Sequence, residues 1–261
     1  MKASTKAPSG RKRENPTACT GCPVRALALF QGVAERDLDW TSRYREGQYQ
    51  IAARETLFEE GGRGPLAFTL FSGWVMLSVS LASGKRQILR FVLPGDFLGF
   101  QADMSGPHIA TATALTDVTV CAFQRDRLAS LLRERVDLAS RMATLSARDQ
   151  FLCHQHLIGT GQKSARERIA FLMLELFHRV RIVHDLVPMG VKSDSIALPL
   201  SQEQIADAVG LTTVHVNRTL REMRESGLME IRDHWLIIHD HDGLAAVAHF
   251  DPAVLRMPAM L

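Results

Sequence analysis

Two sets of side chains in this chain have the type and spacing to do chemistry. Val214, Asn217, Arg218 and Arg221 recur at i, i+3, i+4 and i+7, which on a helix is one face. Arginine can grip a guanine edge through two hydrogen bonds, asparagine can do the same to adenine, and valine suits a thymine methyl. A helix carrying them in a DNA major groove would read base pairs, with His215 and Arg224 touching phosphates. Cys19 and Cys22 make a C-x-x-C pair, compatible with a metal site, a redox pair or chance.

The first set needs two helices and a tight turn to hold it. Ser201 stands where an N-cap belongs, with acids and glutamines in the turn that follows. Ile205, Ala206 and Val209 then form an apolar face, and Gly210 follows where a chain leaving a helix needs a positive φ. Thr212 or Thr213 can cap a second helix with Val216, Leu220 and Met223 inward. The small Ala206, the glycine corner and the branched Val216 are the packing pattern of a helix-turn-helix. Ser201 and Thr213, at the two helix starts, join the DNA-contacting set. After Gly227 the apolar runs Leu228–Ile231 and Trp235–Ile238, separated by Asp233-His234, predict a hairpin and so a winged helix-turn-helix. The alternative is an αα-hairpin with a solvated basic face.

Composition sets outer bounds. At 261 residues there is room for two domains, each with its own core. No apolar run approaches the ~20 residues that span a bilayer, so no membrane is expected. The first thirteen residues are basic but lead into no apolar stretch, and read as a solvated tail rather than a secretory signal. Four unevenly spaced cysteines make no disulfide framework, which points to a reducing cytoplasm. Net charge is only +3, and from Gln162 onward 11 Lys/Arg stand against 13 Asp/Glu. Positive potential must therefore be local to Thr212–Arg224, with Lys163, Arg166 and Arg168 adding to it.

Upstream the pattern changes twice. In Cys19–Phe30, Leu27, Leu29 and Phe30 look like an anchor for the C-x-x-C turn. From Tyr44 to Phe123 short β-branched and aromatic runs alternate with glycine-bearing turns, which predicts a β-sandwich or roll, with Gly73 and Gly95-Asp96 at strand corners. From Arg125 to His156 apolar residues recur at helical steps without a proline. A helix of this length suggests a seam covered by a second copy, through Met142, Leu145, Leu152 and Cys153. Gly159 and Gly161 are expected to break it into a hinge, and Ala165–His184 is a further amphipathic helix.

Roll, long helix, hinge and winged helix-turn-helix, in that order, resemble the Crp/Fnr family of bacterial transcription regulators. LPGDFLGF (Leu93–Phe100), KSARERIAFL (Lys163–Leu172) and LSQEQIADAVGLTTVHVNRTL carry the resemblance. It implies an α+β chain: an N-terminal double-stranded β-roll like a cyclic-nucleotide-binding domain, a long dimerisation helix, and a C-terminal winged helix-turn-helix. The implied divisions are a disordered tail at 1–18, a sensor roll at 19–124, the dimerisation helix and hinge at 125–160, and the DNA-binding domain at 161–261. The implied partners are a second copy, double-stranded DNA with an inverted repeat, and RNA polymerase.

The branch of the family turns on a few positions. Cyclic-AMP-binding members hold the nucleotide with a glutamate and an Arg-Ser pair. Here those places fall on Phe100, His108 and Ile109, so cAMP is not expected. The oxygen-sensing branch holds a [4Fe–4S] cluster with four cysteines. Cys19, Cys22 and Cys121 match three of them, and the remaining position falls on Ala28. Asp37, Asp39 and His108 are fourth-ligand candidates by type alone. The other reading makes Cys121 a small core residue and the pair vestigial or thiol-reactive. Cys153 is either a dimer-seam thiol or an ordinary buried residue. At the recognition helix that branch carries a glutamate, a serine and an arginine, where this chain has Val214, Asn217 and Arg218. A different half-site is expected, with the guanine read by Arg218 kept.

The leading expectation is a homodimeric DNA-binding regulator answering oxygen, redox state or a related signal through its roll. A second is a cofactor-free regulator controlled by abundance or cysteine oxidation. A distant third is a cupin-like metalloenzyme. That needs several histidines in the roll, and Tyr44–Phe123 has only His108, so no enzyme is expected.

Overall fold

A computed structural model describes residues 12–31, 33–34, 38 and 44–255. Asp37, Asp39 and residues 1–11 of the basic tail lie outside the described residues. The chain divides into two compact units, one drawn from 1–79 and 90–143, the other from 80–89 and 144–261.

A roll whose strands form two antiparallel sheets makes up most of the first unit and, through 80–89, enters the second. In chain order the strands are β1 (Lys12–Glu14), β2 (Arg45–Ile51), β3 (Thr56–Phe58), β4 (Leu66–Ser72), β5 (Val75–Ser80), β6 (Arg86–Val92), β7 (Phe97–Leu98), β8 (Thr111–Ala114) and β9 (Val118–Gln124). One sheet runs β1-β2-β9-β4-β7 and the other β3-β8-β5-β6. Phe68, Leu70, Val75, Val92, Leu98 and Val120 share one core cluster of this roll, the inward set that the alternating pattern requires.

The glycine corners behave as their chemistry demands. Gly73 has φ 87°, and a Cβ there would sit 2.4 Å from the Asp117 carbonyl, so only glycine fits. Gly95 has φ 94° and lies under Leu27, whose Cβ an added methyl would meet at 2.6 Å. The segment after the C-x-x-C turn therefore packs onto this corner, with Leu29 and Phe30 buried beside it. The tail expected through residue 18 is not wholly free: Lys12–Glu14 pairs antiparallel with Gln48–Gln50.

The long helix differs from expectation at both ends. It is two helices, α1 (Arg125–Glu134) and α2 (Val136–Gln162), interrupted at Arg135, which is extended at φ −122°, ψ 95°. No proline or glycine marks that break. Gly159 and Gly161 do not end α2, which runs on to Gln162; a helical glycine costs about 1 kcal/mol relative to alanine without forbidding the helix. The true boundary is Ser164, whose hydroxyl accepts from the Glu167 amide in a capping box that starts α3 (Ala165–His184).

α3 is the buried spine of the second unit. Around it lie β10 (Val191–Lys192), β11 (Ser195–Ala197), α4 (Gln202–Val209), α5 (Thr213–Glu225), β12 (Met229–Arg232), β13 (Trp235–Ile238) and α6 (His241–Ala248). The four strands form one sheet in the order β10-β11-β13-β12. No helix among the described residues is long and apolar enough to cross a membrane.

Candidate nucleic-acid interface

Local chemistry fixes the two helices that carry the interface. The Ser201 hydroxyl accepts from the Gln204 amide, and the Gln204 side chain returns a bond to the Ser201 backbone. α4 ends at Gly210, in the left-handed region at φ 67°. Thr212, not Thr213, caps α5 by accepting from the His215 amide; Thr213 is the first helical residue and is exposed. Ile205, Ala206 and Val209 of α4 are buried, as are Val216 and Met223 of α5. Leu220 is only half-buried. Thr219, on the same inner face, is 2% exposed and donates to the His215 carbonyl at 3.0 Å. A threonine gives little apolar signal, so the sequence pattern passes it by.

The outer face of α5 is open. Val214 is 80% exposed, Asn217, Arg218, Arg221 and Arg224 are exposed, and His215 is half-buried. Among the described residues Arg218 pairs with Glu222 and Arg221 with Glu225, one turn on, at 3.9 and 3.8 Å. Exposed pairs of this kind are worth little, so both guanidinium groups can turn to a ligand. A groove beside the helix is lined by Gln202, Asn217, Arg218, Arg221 and Arg224, with Glu230 at the strand side. The face can form hydrogen bonds to base edges and neutralise phosphates at once.

The wing closes next to it. Met229–Arg232 pairs with Trp235–Ile238 across Asp233 and His234, at φ 51° and 61°. Two positive φ values in a two-residue loop are the turn that suits a right-twisted hairpin. Lys192 lies 4.2 Å over the Trp235 ring.

The cations expected to help from the start of this region also hold it together. Lys163 donates to the Ala248 carbonyl at 3.2 Å and Arg166 to the Ser226 hydroxyl at 3.2 Å. Arg168 donates to the Lys163 and Val209 carbonyls at 2.8 and 3.4 Å. They tie the helices together through neutral acceptors, which leave their positive charges in place. A buried group here was not foreseen. Glu175 accepts from His156 at 2.7 Å and from Arg179 at 2.9 Å. His154 is exposed, which agrees with residues two apart facing different sides.

The seam residues need correction. Met142, Leu145 and Leu152 are 6%, 5% and 5% exposed within their own chain, and Met142 joins the cluster of Leu29, Phe30, Phe123, Leu128 and Leu138. They are inward-facing core residues. The apolar side chains left open on α2 are Val136, Phe151, Leu157 and Ile158. Cys153 is exposed, not buried.

One cysteine of the pair is brought to the cluster that holds Cys121. Cys121 on β9 is buried, Cys19 packs against the cluster that contains it, and Cys19 and Cys22 are half-buried. Burial pushes the Cys22 thiol above its ordinary value and the Cys121 thiol up to about 11. Arg45 donates to the Thr17 carbonyl at 2.7 Å, and its charge opposes the rise at Cys121. Among the described residues no three His, Cys, Asp or Glu side chains are set to hold a metal ion, and Ala28 is buried where a further thiol would be needed. Among the described residues the set of cysteines is thus one short of the four that commonly hold a [4Fe–4S] cluster.

The nucleotide positions of the roll are also changed. Phe100 and Ile109 are exposed, and His108 is buried, stacked on Phe58 at 4.1 Å between centroids. Burial, with Arg125 nearby, holds the His108 imidazole down to about 4.

Known proteins match this arrangement. Residues 49–135 match the cyclic nucleotide-binding domain and residues 167–247 the Crp-like helix-turn-helix domain. The chain is 30% identical over 213 residues to the nitrogen fixation regulation protein FixK of Bradyrhizobium diazoefficiens, covering 82% of this chain and 86% of that one. It is 26% identical over 230 residues to the fumarate and nitrate reduction regulatory protein of Escherichia coli, covering 88% and 90%. The solved structure of FixK2 from Bradyrhizobium japonicum has the same fold, with a TM-score of 0.68 at 24% identity over 77% of this chain and 96% of that one. The chain belongs to the Crp/Fnr family and is a DNA-binding transcription regulator, not an enzyme.

Proposed function

We propose that the protein acts as a homodimer on an inverted-repeat DNA site, and that its roll answers a redox signal. The observation that carries the reading is the outward set Asn217, Arg218 and Arg221 on a helix fixed by Gly210 and Thr212. Arg218 reads a guanine, Asn217 an adjacent base, and Arg224, His215, Ser201 and Thr213 hold phosphates. The second copy covers the open apolar side chains of α2. Pairing two recognition helices then sets the half-site spacing. By the family resemblance, the DNA-bound dimer works on RNA polymerase.

The redox reading rests on the packing of Cys19 against the cluster that contains Cys121, with Cys22 three residues on. Cyclic AMP is not the signal in this reading, because Phe100, His108 and Ile109 offer neither an acid for a ribose nor a cation for a phosphate at neutral pH.

The test is selection of a bound site from random duplexes, followed by a shift assay at several salt concentrations. A palindromic consensus and a binding constant that falls steeply with salt are expected. Binding without sequence preference would refute the reading.

A further inference from the structure

Asp207 lies in the last turn of α4, where the partial negative charge of the helix end works against an acid. No basic residue of that turn offsets it. The cation comes from 121 residues away, at the start of β6 and within the same compact unit. Arg86 Nε donates to Asp207 Oδ2 at 2.8 Å, and its Nη2 stands 2.7 Å from the same oxygen. Glu203, one turn earlier on α4, is 4.0 Å from that Nη2. Beside it, Gln87 Nε2 donates to the Ala208 carbonyl at 3.2 Å as well as to the Ile88 carbonyl at 3.0 Å. Ala208 is among the last four residues of α4, whose carbonyls have no partner within the helix. Two residues of 80–89 therefore hold the end of α4 just before the Gly210 corner from which α5 departs.

We propose that Arg86, seconded by Gln87, is a positioning residue for DNA binding: it braces α4 so that the Gly210 corner sets α5 at the angle the DNA groove requires. The contact leaves the reading face open. The groove beside α5 is lined by Leu200 and by residues of α4, α5 and β12, and among the described residues none comes from 80–89. Val214 stays 80% exposed. The brace is therefore compatible with bound DNA, and it works by holding rather than by blocking. Arg86 also offsets the charge of Asp207, an acid that would otherwise repel phosphates from the helix pair. Isolated exposed ion pairs are worth little, but here both partners are half-buried and the Gln87 bond fixes the same helical turn. The proposal rests on the DNA-binding activity of the chain and not on the dimer or redox readings.

In the experiment, full-length protein is titrated at several salt concentrations against a fluorescein-labelled duplex carrying the selected site. A random-sequence duplex takes its place should selection yield no consensus, which keeps the two questions apart. Arg86→Gln and Asp207→Asn are each expected to lower affinity about 3- to 10-fold, with the double variant no weaker than either single one. The salt slope stays that of the parent, and combining Arg86→Asp with Asp207→Arg restores most of the affinity. Thermal midpoints are read alongside: a loss that follows a lowered midpoint and is not restored by the swap is general destabilisation and overturns the proposal. A loss from Arg86→Gln that persists undiminished beside Asp207→Asn, with the salt slope reduced by about 1, makes Arg86 a phosphate contact and overturns it too. Unchanged or tighter binding in either single variant does the same.

Discussion

His156 Nε2 lies 2.7 Å from Glu175 Oε2, joining α2 to α3 inside the second unit. Glu175 is 4% exposed, and its other oxygen takes the Arg179 guanidinium. Burial alone would raise this carboxyl, but His156 and Arg179 outweigh it and bring Glu175 down to about 2. Removing a buried partner leaves charge uncompensated, so Glu175→Gln should cost roughly 3–5 kcal/mol, read by chemical denaturation. The sign with pH follows from a depressed folded value. The contribution is complete above about pH 4.5 and lost as pH falls towards 2. An unchanged acid limb in the variant would contradict this.

Arg218→Ala should weaken binding to the selected site by roughly 1–3 kcal/mol and relax preference at one base pair. Competition assays against single-base variants of the site measure it. A loss equal on all sequences would reassign Arg218 to a phosphate.

Leu157, at 68% exposure, is open on α2 and outside the chain's own core. Leu157→Glu should give monomers in sedimentation while leaving the thermal midpoint of the chain nearly unchanged. Losing the second recognition helix should lower site affinity roughly 100-fold. A dimer of undiminished strength would place the partner surface elsewhere.

His108 is held neutral in the fold at about 4, against an ordinary 6.5, first by burial and then by Arg125. The unfolded chain therefore protonates first, and stability falls as pH drops from about 6.5 towards 4. In His108→Phe that decline should flatten, which urea titrations at pH 7 and pH 5 would show.

Gly210 holds φ 67°, so Gly210→Ala should destabilise the corner between α4 and α5 by roughly 1–2 kcal/mol. Thermal unfolding of the variant reports it.

The DNA-facing half was legible because its signals are local. Ser201 and Gly210 act on amides and φ angles within a few residues, and Asp233-His234 form the loop of their own hairpin. What was not legible depends on distant packing. The stop at Arg135 has no local breaker. Met142 and Leu152 share the helical period of the exposed residues, and only the neighbours they meet separate core from seam. Glu175 and His156 are unremarkable letters 19 residues apart until the fold sets them side by side. The cysteines were found by type, whereas Arg45, whose charge acts on Cys121, carries no signal in its spacing.

The strand at Lys12–Glu14 covers the free margin of β2. A shortened chain beginning at residue 18 would lose that strand along with the Thr17 bonds to Gln48 and Arg45. Its bared ladder of amides and carbonyls would then be a template for another molecule's strand, so clipping this stretch should turn a well-behaved protein into one that clumps.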